Sequence, residues 1–336
     1  MTQNVVKSLT KNKKKKSLKS KFLKIARKLI EAVMEKILII PSKGLGDLMI
    51  LMNLAHICAS KYQVYICHDL LMQIQSFFPH VVVFPRNQLL DKITKESFAK
   101  TVLVFEESLF FKQMHPKLEA HFSKNLHVLN PVVTAKKDYI FSDHFFFDPN
   151  ISFTANLNHF AKKNLHLETD LQTAAIYHSI QKDKKLVVIH PSASKPSKTW
   201  GSTKFKQIER LLIKKGFEVK YATLPFEEEM VKNGLYSGLE NLHQMVELLL
   251  KASILIGNDS GVSHLASACN TPSVIISRNV RIQRFWGPDF EGKSFPLFPP
   301  RFLPNLKGLR IRDKHWRHFV FKKDVLKKAL KILGST

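Results

Sequence analysis

The sequence predicts an α/β protein built as two consecutive units, each a parallel sheet with helices on its faces. Three observations predict it. Short β-branched runs alternate with helical spacings along most of the chain, the pattern of strands joined by covering helices. The alternation breaks in a Phe- and Asp-rich stretch at 141–154 and then restarts. The chain of 336 residues is long enough for two cores of ordinary size. A cleft between two such units is a common ligand site.

Taken in order, residues 1–17 hold the run Lys11-Asn-Lys-Lys-Lys-Lys16 and read as a basic tail. Phe22, Ile25, Leu29, Ile30 and Val33 then recur at helical spacing among Lys19, Lys21, Lys24, Arg27 and Lys28. Such a basic amphipathic helix either lies in a membrane interface or packs on the body with a solvated Lys face. Residues 1–35 thus form a separate N-terminal segment. The run 36–41 is a short buried strand, followed by a glycine-rich turn at 42–47 and a helix over 48–60. Further strands are expected at 63–67, 80–84, 101–106 and 126–129, which makes 36–155 the first domain. Helices at 156–164 and 169–180 serve as a connector over 156–184. The second domain, 185–320, opens on the strand 185–191 and continues with strands at 217–222, 253–257 and 273–277. Helices at 204–215, 227–233 and 244–250 lie between them, and a C-terminal helix closes the chain within 321–336.

The formal charge of +26 is unevenly spread. Residues 1–28 carry eleven Lys or Arg and no acid, and 301–331 carry eleven more against Asp313 and Asp324. This balance favours anionic partners in general. It permits a basic nucleic-acid- or membrane-binding protein without catalysis, but no nucleic-acid module is recognisable and no nucleic-acid partner is expected. No apolar run is long enough to span a bilayer, and the N-terminus is not a secretory signal. Cys58, Cys67 and Cys269 have no metal-ligand spacing and read as reduced side chains. No Asp-x-Asp or His-cluster metal site is present.

Three loops carry the chemistry. In Gly257-Asn-Asp259-Ser260-Gly261-Val-Ser-His264 an apolar strand ends where a small-residue helix begins. Such a junction lies at the carboxyl end of a strand and offers unpaired N–H groups and a positive dipole end to a phosphate. Ser260 and Gly261 are small enough for a phosphate to reach the backbone. Asp259 either caps the helix or faces the ligand, and His264 is either a packing histidine or a ligand contact. In Gly44-Leu-Gly46-Asp47 the glycines let the chain turn tightly. Asp47 is either a general base at the mouth of the sheet or a helix N-cap. In His190-Pro-Ser-Ala-Ser-Lys195-Pro-Ser-Lys198-Thr-Trp200 a lysine can pair with a phosphate as a flexible point charge, or be a solvated surface lysine.

In this order and spacing, Gly46-Asp47, His190-Pro191 with Lys198-Thr-Trp200, and Asp259-Ser-Gly-Val-Ser-His264-Leu resemble the motifs of glycosyltransferase family nine, the heptosyltransferases of lipopolysaccharide core assembly. The resemblance covers the body from Lys36 to the C-terminal helix. It implies a GT-B architecture, two Rossmann-like domains with an interdomain cleft, the acceptor in the first and the nucleotide sugar in the second. It implies an inverting, metal-independent transfer, with Asp47 as base. Lys198, Ser260 and Gly261 hold the donor diphosphate, Asp259 and His264 lie beside them, and Glu227 or Glu228 lies near the ribose. The implied donor is a nucleotide sugar, ADP-heptose, and no cofactor is needed. The implied acceptor is an anionic glycolipid, lipid A with its inner core, met at the cytoplasmic face of the inner membrane of a Gram-negative bacterium with residues 1–35 on the lipid. Another nucleotide sugar in surface-polysaccharide synthesis is the alternative. The sequence departs from the family pattern at Asn53, at Ser192, before Glu227 and after Ile276, and the last two bear on the nucleotide pocket.

Overall fold

The computed structural model describes residues 34–131, 144–168, 176, 180–290, 292–302 and 311–334. The expected basic tail with its amphipathic helix, and nearly all of the expected helix at 169–180, lie outside the described residues. Among the described residues there are two parallel sheets. The first contains β1 (Lys36–Ile40), β2 (Gln63–Cys67), β3 (Val81–Phe84), β4 (Lys100–Val104), β5 (Leu126–Asn130) and β6 (His144–Phe146), in the order β3-β2-β1-β4-β5-β6. Its helices are α1 (Leu45–Cys58), α2 (Asp69–Met72), α3 (Leu89–Lys95), α4 (Leu109–Phe122) and α5 (Phe153–Asn164). The second sheet contains β7 (Asp183–His190), β8 (Glu218–Tyr221), β9 (Ala252–Asn258), β10 (Ser273–Ile276) and β11 (Ser294–Leu297), in the order β11-β10-β9-β7-β8. With it go α6 (Ser202–Ile213), α7 (Glu228–Lys232), α8 (Leu242–Lys251), α9 (Gly261–Ala268), α10 (Val280–Trp286), α11 (Ile311–Phe319) and α12 (Lys322–Leu333).

The alternation of side chains along the strands sorts the core into three layers. Leu38 and Ile40 face outward with Tyr65, Phe84 and Leu103. Ile37 and Ile39 face inward onto α1, where they share one cluster with Leu255 of β9, Leu265 of α9 and Leu249 of α8. Ile254 and Ile256 point the other way, onto Phe205 and Leu212 of α6 and Val325 and Ala329 of α12. The middle layer therefore belongs to both sheets. Helix α1 is buried around most of its circumference, as a helix apolar on every face must be. The C-terminal helix α12 packs on β9, β10 and α6, and α5 packs on α1.

At the centre of this layer α1 and α9 meet end to end through glycines. A Cβ on Gly261 would stand 2.8 Å from Leu45 Cβ and 2.9 Å from Gly46 N. Gly261 is small because the other domain occupies the space, a reason that phosphate access alone does not supply. Gly44 has φ −73° and ψ 138°, extended backbone open to any residue, so the turn into α1 does not itself require glycine there. Helix α1 also starts at Leu45, three residues ahead of the sequence expectation, and Gly46 lies inside it against His264. Gly261→Ala forces Leu45 or the backbone of Gly46 aside and is expected to cost about 1–3 kcal/mol, read as a lowered thermal midpoint. An unchanged midpoint would mean that the two helices are not in fixed contact.

Candidate active site

Each sheet reverses its strand order once, between β1 and β4 in the first and between β7 and β9 in the second. The crevice outside such a reversal is where open α/β sheets bind ligands. Here the two crevices open into one cleft of about 910 Å³. Its walls are the 44–47 turn from the first domain, and from the second the 190–199 loop, the 224–230 segment and the start of α9. Asp47, Lys198, Glu227, Glu228, Asp259, Ser260, Gly261, His264, Gly44 and Gly46 all line it.

Asp47 is the third residue of α1, and Gly44 is the N-cap, so the N-cap alternative for Asp47 does not hold. Its carboxylate accepts from Ser42 Oγ at 2.5 Å. Burial pushes its pKa up from the ordinary aspartate value. The Ser42 bond and the charge of Lys198 offset part of that rise, and the charge of Glu106 adds to it. The loop before Asp47 is held by an ion pair between Arg86 Nη1 and Glu106 Oε1 at 3.0 Å. Lys43 N donates to Glu106 Oε2 at 2.8 Å, and Arg86 Nη2 donates to Pro41 O at 2.6 Å.

Lys198 ends a one-turn 3₁₀ helix, Pro196–Lys198. Its positive charge acts on three groups around the cleft, Asp47, Asp259 and His264. Asp259 is likewise raised, first by burial, with Lys198, a 3.4 Å bond from Ser277 Oγ and Arg278 opposing the rise. His264 is 5% exposed, and burial followed by Lys198 brings its pKa down to about 4, so the ring is neutral at pH 7. Ser260 is the N-cap of α9, yet its side chain makes no capping bond. Among the described residues, Ser260 Oγ and His264 Nδ1 have no hydrogen-bond partner. A helix start without a side-chain cap leaves N–H groups for an anion. His190, fully buried, is held neutral chiefly by desolvation and bonds Ala222 O through Nδ1 at 2.6 Å.

The two candidate glutamates separate. Glu227 accepts from Leu224 N through Oε2 at 2.8 Å and is half-buried, whereas Glu228 is exposed and pairs with Lys232 at 3.2 Å. Sequence reading missed Phe226, which is 76% exposed on the cleft wall, and Ile282 and Trp286 on α10. The Asn279 cap, which accepts from Arg281 N and Ile282 N, was the signal for α10. Trp286 also lines a smaller recess of about 190 Å³ on the first-domain side of Asp47, with Lys43, Phe105, Glu106, Pro131 and Phe153. Its ring centroid is 4.9 Å from that of Phe153, across the domain boundary. Asp47 borders both spaces. Among the described residues no group of three or more His, Cys, Asp or Glu side chains is placed to hold a metal ion. No helix there is long and apolar enough to cross a membrane.

Residues 146–288 match the model of glycosyltransferase family 9 (heptosyltransferase). Lipopolysaccharide heptosyltransferase 1 of Campylobacter coli is 31% identical over 111 residues, a match that takes in 29% of this chain and 32% of that protein. The chain thus spans about a third of the curated relative it matches. The structure of E. coli ADP-heptose lipopolysaccharide heptosyltransferase II superposes with a TM-score of 0.67 at 16% identity, over 89% of this chain and 99% of that one. The glycosyl transferase family 9 structure from Veillonella parvula does so with a TM-score of 0.67 at 14% identity, over 90% and 98%. These likenesses fix the fold as GT-B. Residues 146–288 thus carry the sequence match to the family, and the fold of both domains is that of these solved heptosyltransferase and family 9 structures.

Proposed function

We propose that the protein transfers a heptose from ADP-heptose to the inner core of lipopolysaccharide or lipooligosaccharide, with inversion at the anomeric carbon. The observation that carries this reading is the shared cleft: a half-buried carboxylate from one domain faces a lysine and an uncapped helix start from the other. The acceptor hydroxyl enters on the side of Asp47 that opens into the smaller recess, and Asp47 takes its proton as the new bond forms. Charge grows on the departing diphosphate, where Lys198 and the first amides of α9, with Ser260 and Gly261, stabilise it without reorganising. No metal ion is required for that step. Asp259 balances the charge of Lys198, and neutral His264 offers a ring nitrogen to the donor. Glu227, with one carboxylate oxygen tied to Leu224 N, is positioned for the ribose. Glu228 also lines the cleft but is exposed and pairs with Lys232, so Glu227 is the favoured of the two. The acceptor is an anionic glycolipid, reached by peripheral attachment of residues 1–35 to the cytoplasmic leaflet of the inner membrane. A polybasic segment gains on the order of 1 kcal/mol per basic residue at an anionic surface.

The test is a panel of ADP-, GDP- and UDP-sugars offered with a core-truncated glycolipid, in the presence of EDTA. Heptose transfer from ADP-heptose alone is the expected result. Transfer from a different sugar nucleotide would move the protein to another step of surface-polysaccharide synthesis, and no transfer from any would remove the enzyme reading. Trp286→Ala is expected to raise the acceptor KM about tenfold or more by removing one wall of the recess. An unchanged acceptor KM would take the recess out of the acceptor path.

A further inference from the structure

The loop that carries Lys198 runs for ten residues, 191–200, between the end of β7 and the residue before α6, and it has little secondary structure of its own. One side chain closes its neck. Asn258, the last residue of β9, is 0% exposed. Its Oδ1 accepts from Trp200 N at 2.9 Å, and its Nδ2 donates to Pro191 O at 2.6 Å and to Ser192 O at 3.3 Å. Both ends of the loop are therefore pinned to one amide group. The tip is held separately from α11. Trp316 Nε1 donates to Ser197 O at 3.2 Å, and Arg317 Nη2 donates to Pro196 O at 3.0 Å. Only an amide of this length meets both ends, since the same group must accept from an N–H and donate to carbonyls. A carboxylate here would face the oxygens of Pro191 and Ser192, and an apolar side chain would leave buried backbone groups unpaired.

We propose that Asn258 is a positioning residue: it acts through Lys198, fixing the lysine's loop relative to the α9 start, which lies three residues further along the chain. The inference rests on the reading of the cleft as a nucleotide diphosphate site. It predicts that the affinity of the Lys198 loop for a diphosphate and the order of that loop fall together when the clamp is lost. Trp316 supports the same loop at its other end.

The experiment pairs two readouts on the full chain, amide hydrogen exchange over 192–200 and titration with ADP. Asn258→Ala is expected to speed exchange in the loop, Trp200 N–H above all, and to weaken ADP about tenfold. The double variant with Lys198→Ala should bind ADP no more weakly than Lys198→Ala alone, because the clamp acts only through the lysine. Unchanged exchange overturns the clamp. Faster exchange with unchanged ADP affinity overturns the positioning role, as does a loss that simply adds to that of Lys198→Ala. If Asn258→Ala does not fold, Trp316→Phe, which removes the N–H donated to Ser197, is expected to shift both readouts the same way by less, and no shift in either overturns the proposal. Failure of the wild type to bind ADP would instead bring down the donor reading, while exchange alone would still decide whether the clamp exists.

Discussion

Asp47→Asn removes sugar transfer by a factor of about 10²–10⁴, the range spanned by a positioned general base, and leaves ADP affinity close to the wild-type value. The amide keeps the size of the carboxylate and a partner for Ser42 Oγ, so the loss falls on kcat and the fold is retained. The pH profile carries a second signature. Burial raises the Asp47 pKa, so the base is protonated, and activity lost, at a pH above the ordinary aspartate value of about 3.9. The acidic limb of kcat/KM in the wild type should lie above that value. Wild-type turnover in the Asn variant would leave the transfer without its base and refute the assignment.

Lys198→Ala has the second largest expected effect, and it acts on both domains. Loss of one charge-assisted contact to a diphosphate is worth about 1.5–3 kcal/mol, or roughly 10- to 100-fold in the ADP dissociation constant. The same change removes a cation that holds the Asp47 pKa down. The Asp47 pKa then rises further, and the acidic limb of the rate profile moves to higher pH. A surface lysine would show neither effect. Titration calorimetry and a pH series on one variant therefore read the lysine's contact with the donor and its electrical contact with the opposite domain. An unchanged dissociation constant would return Lys198 to the solvated loop residue that sequence reasoning kept as its alternative.

The strands that border the cleft were legible because their composition and their alternation agree. The run Lys36-Ile-Leu-Ile-Ile and the run ending in Gly257 are β-branched and bounded by turn residues, and the structure places β1 and β9 there. The three motif loops follow such strands, and all three reach one cleft. Three elements after Ile276 left no such trace. Helix α10 has only seven residues, and its main local signal is the Asn279 cap. Strand β11 is four residues long and contains Pro296, which weakens the strand pattern at a sheet edge. Helix α11 is polar nearly all round, with Trp316 as its one buried residue, so no apolar stripe announces it. Contacts between elements distant in the chain were beyond local reading for a different reason. The fit of Gly261 against Leu45 and the bridge from Asn258 to Pro191 and Trp200 join residues far apart in the sequence. Periodicity describes an element's own faces and says nothing of which distant backbone meets them.

The most direct test is a crystal structure of the protein with ADP-heptose or its non-transferable analogue. The account predicts diphosphate oxygens within hydrogen-bond reach, about 2.7–3.2 Å, of Lys198 Nζ and the first amides of α9. The anomeric carbon should then face the Asp47 carboxylate across the smaller recess. A diphosphate bound away from Ser260 and Gly261, or a sugar whose reacting carbon is turned from Asp47, would contradict it.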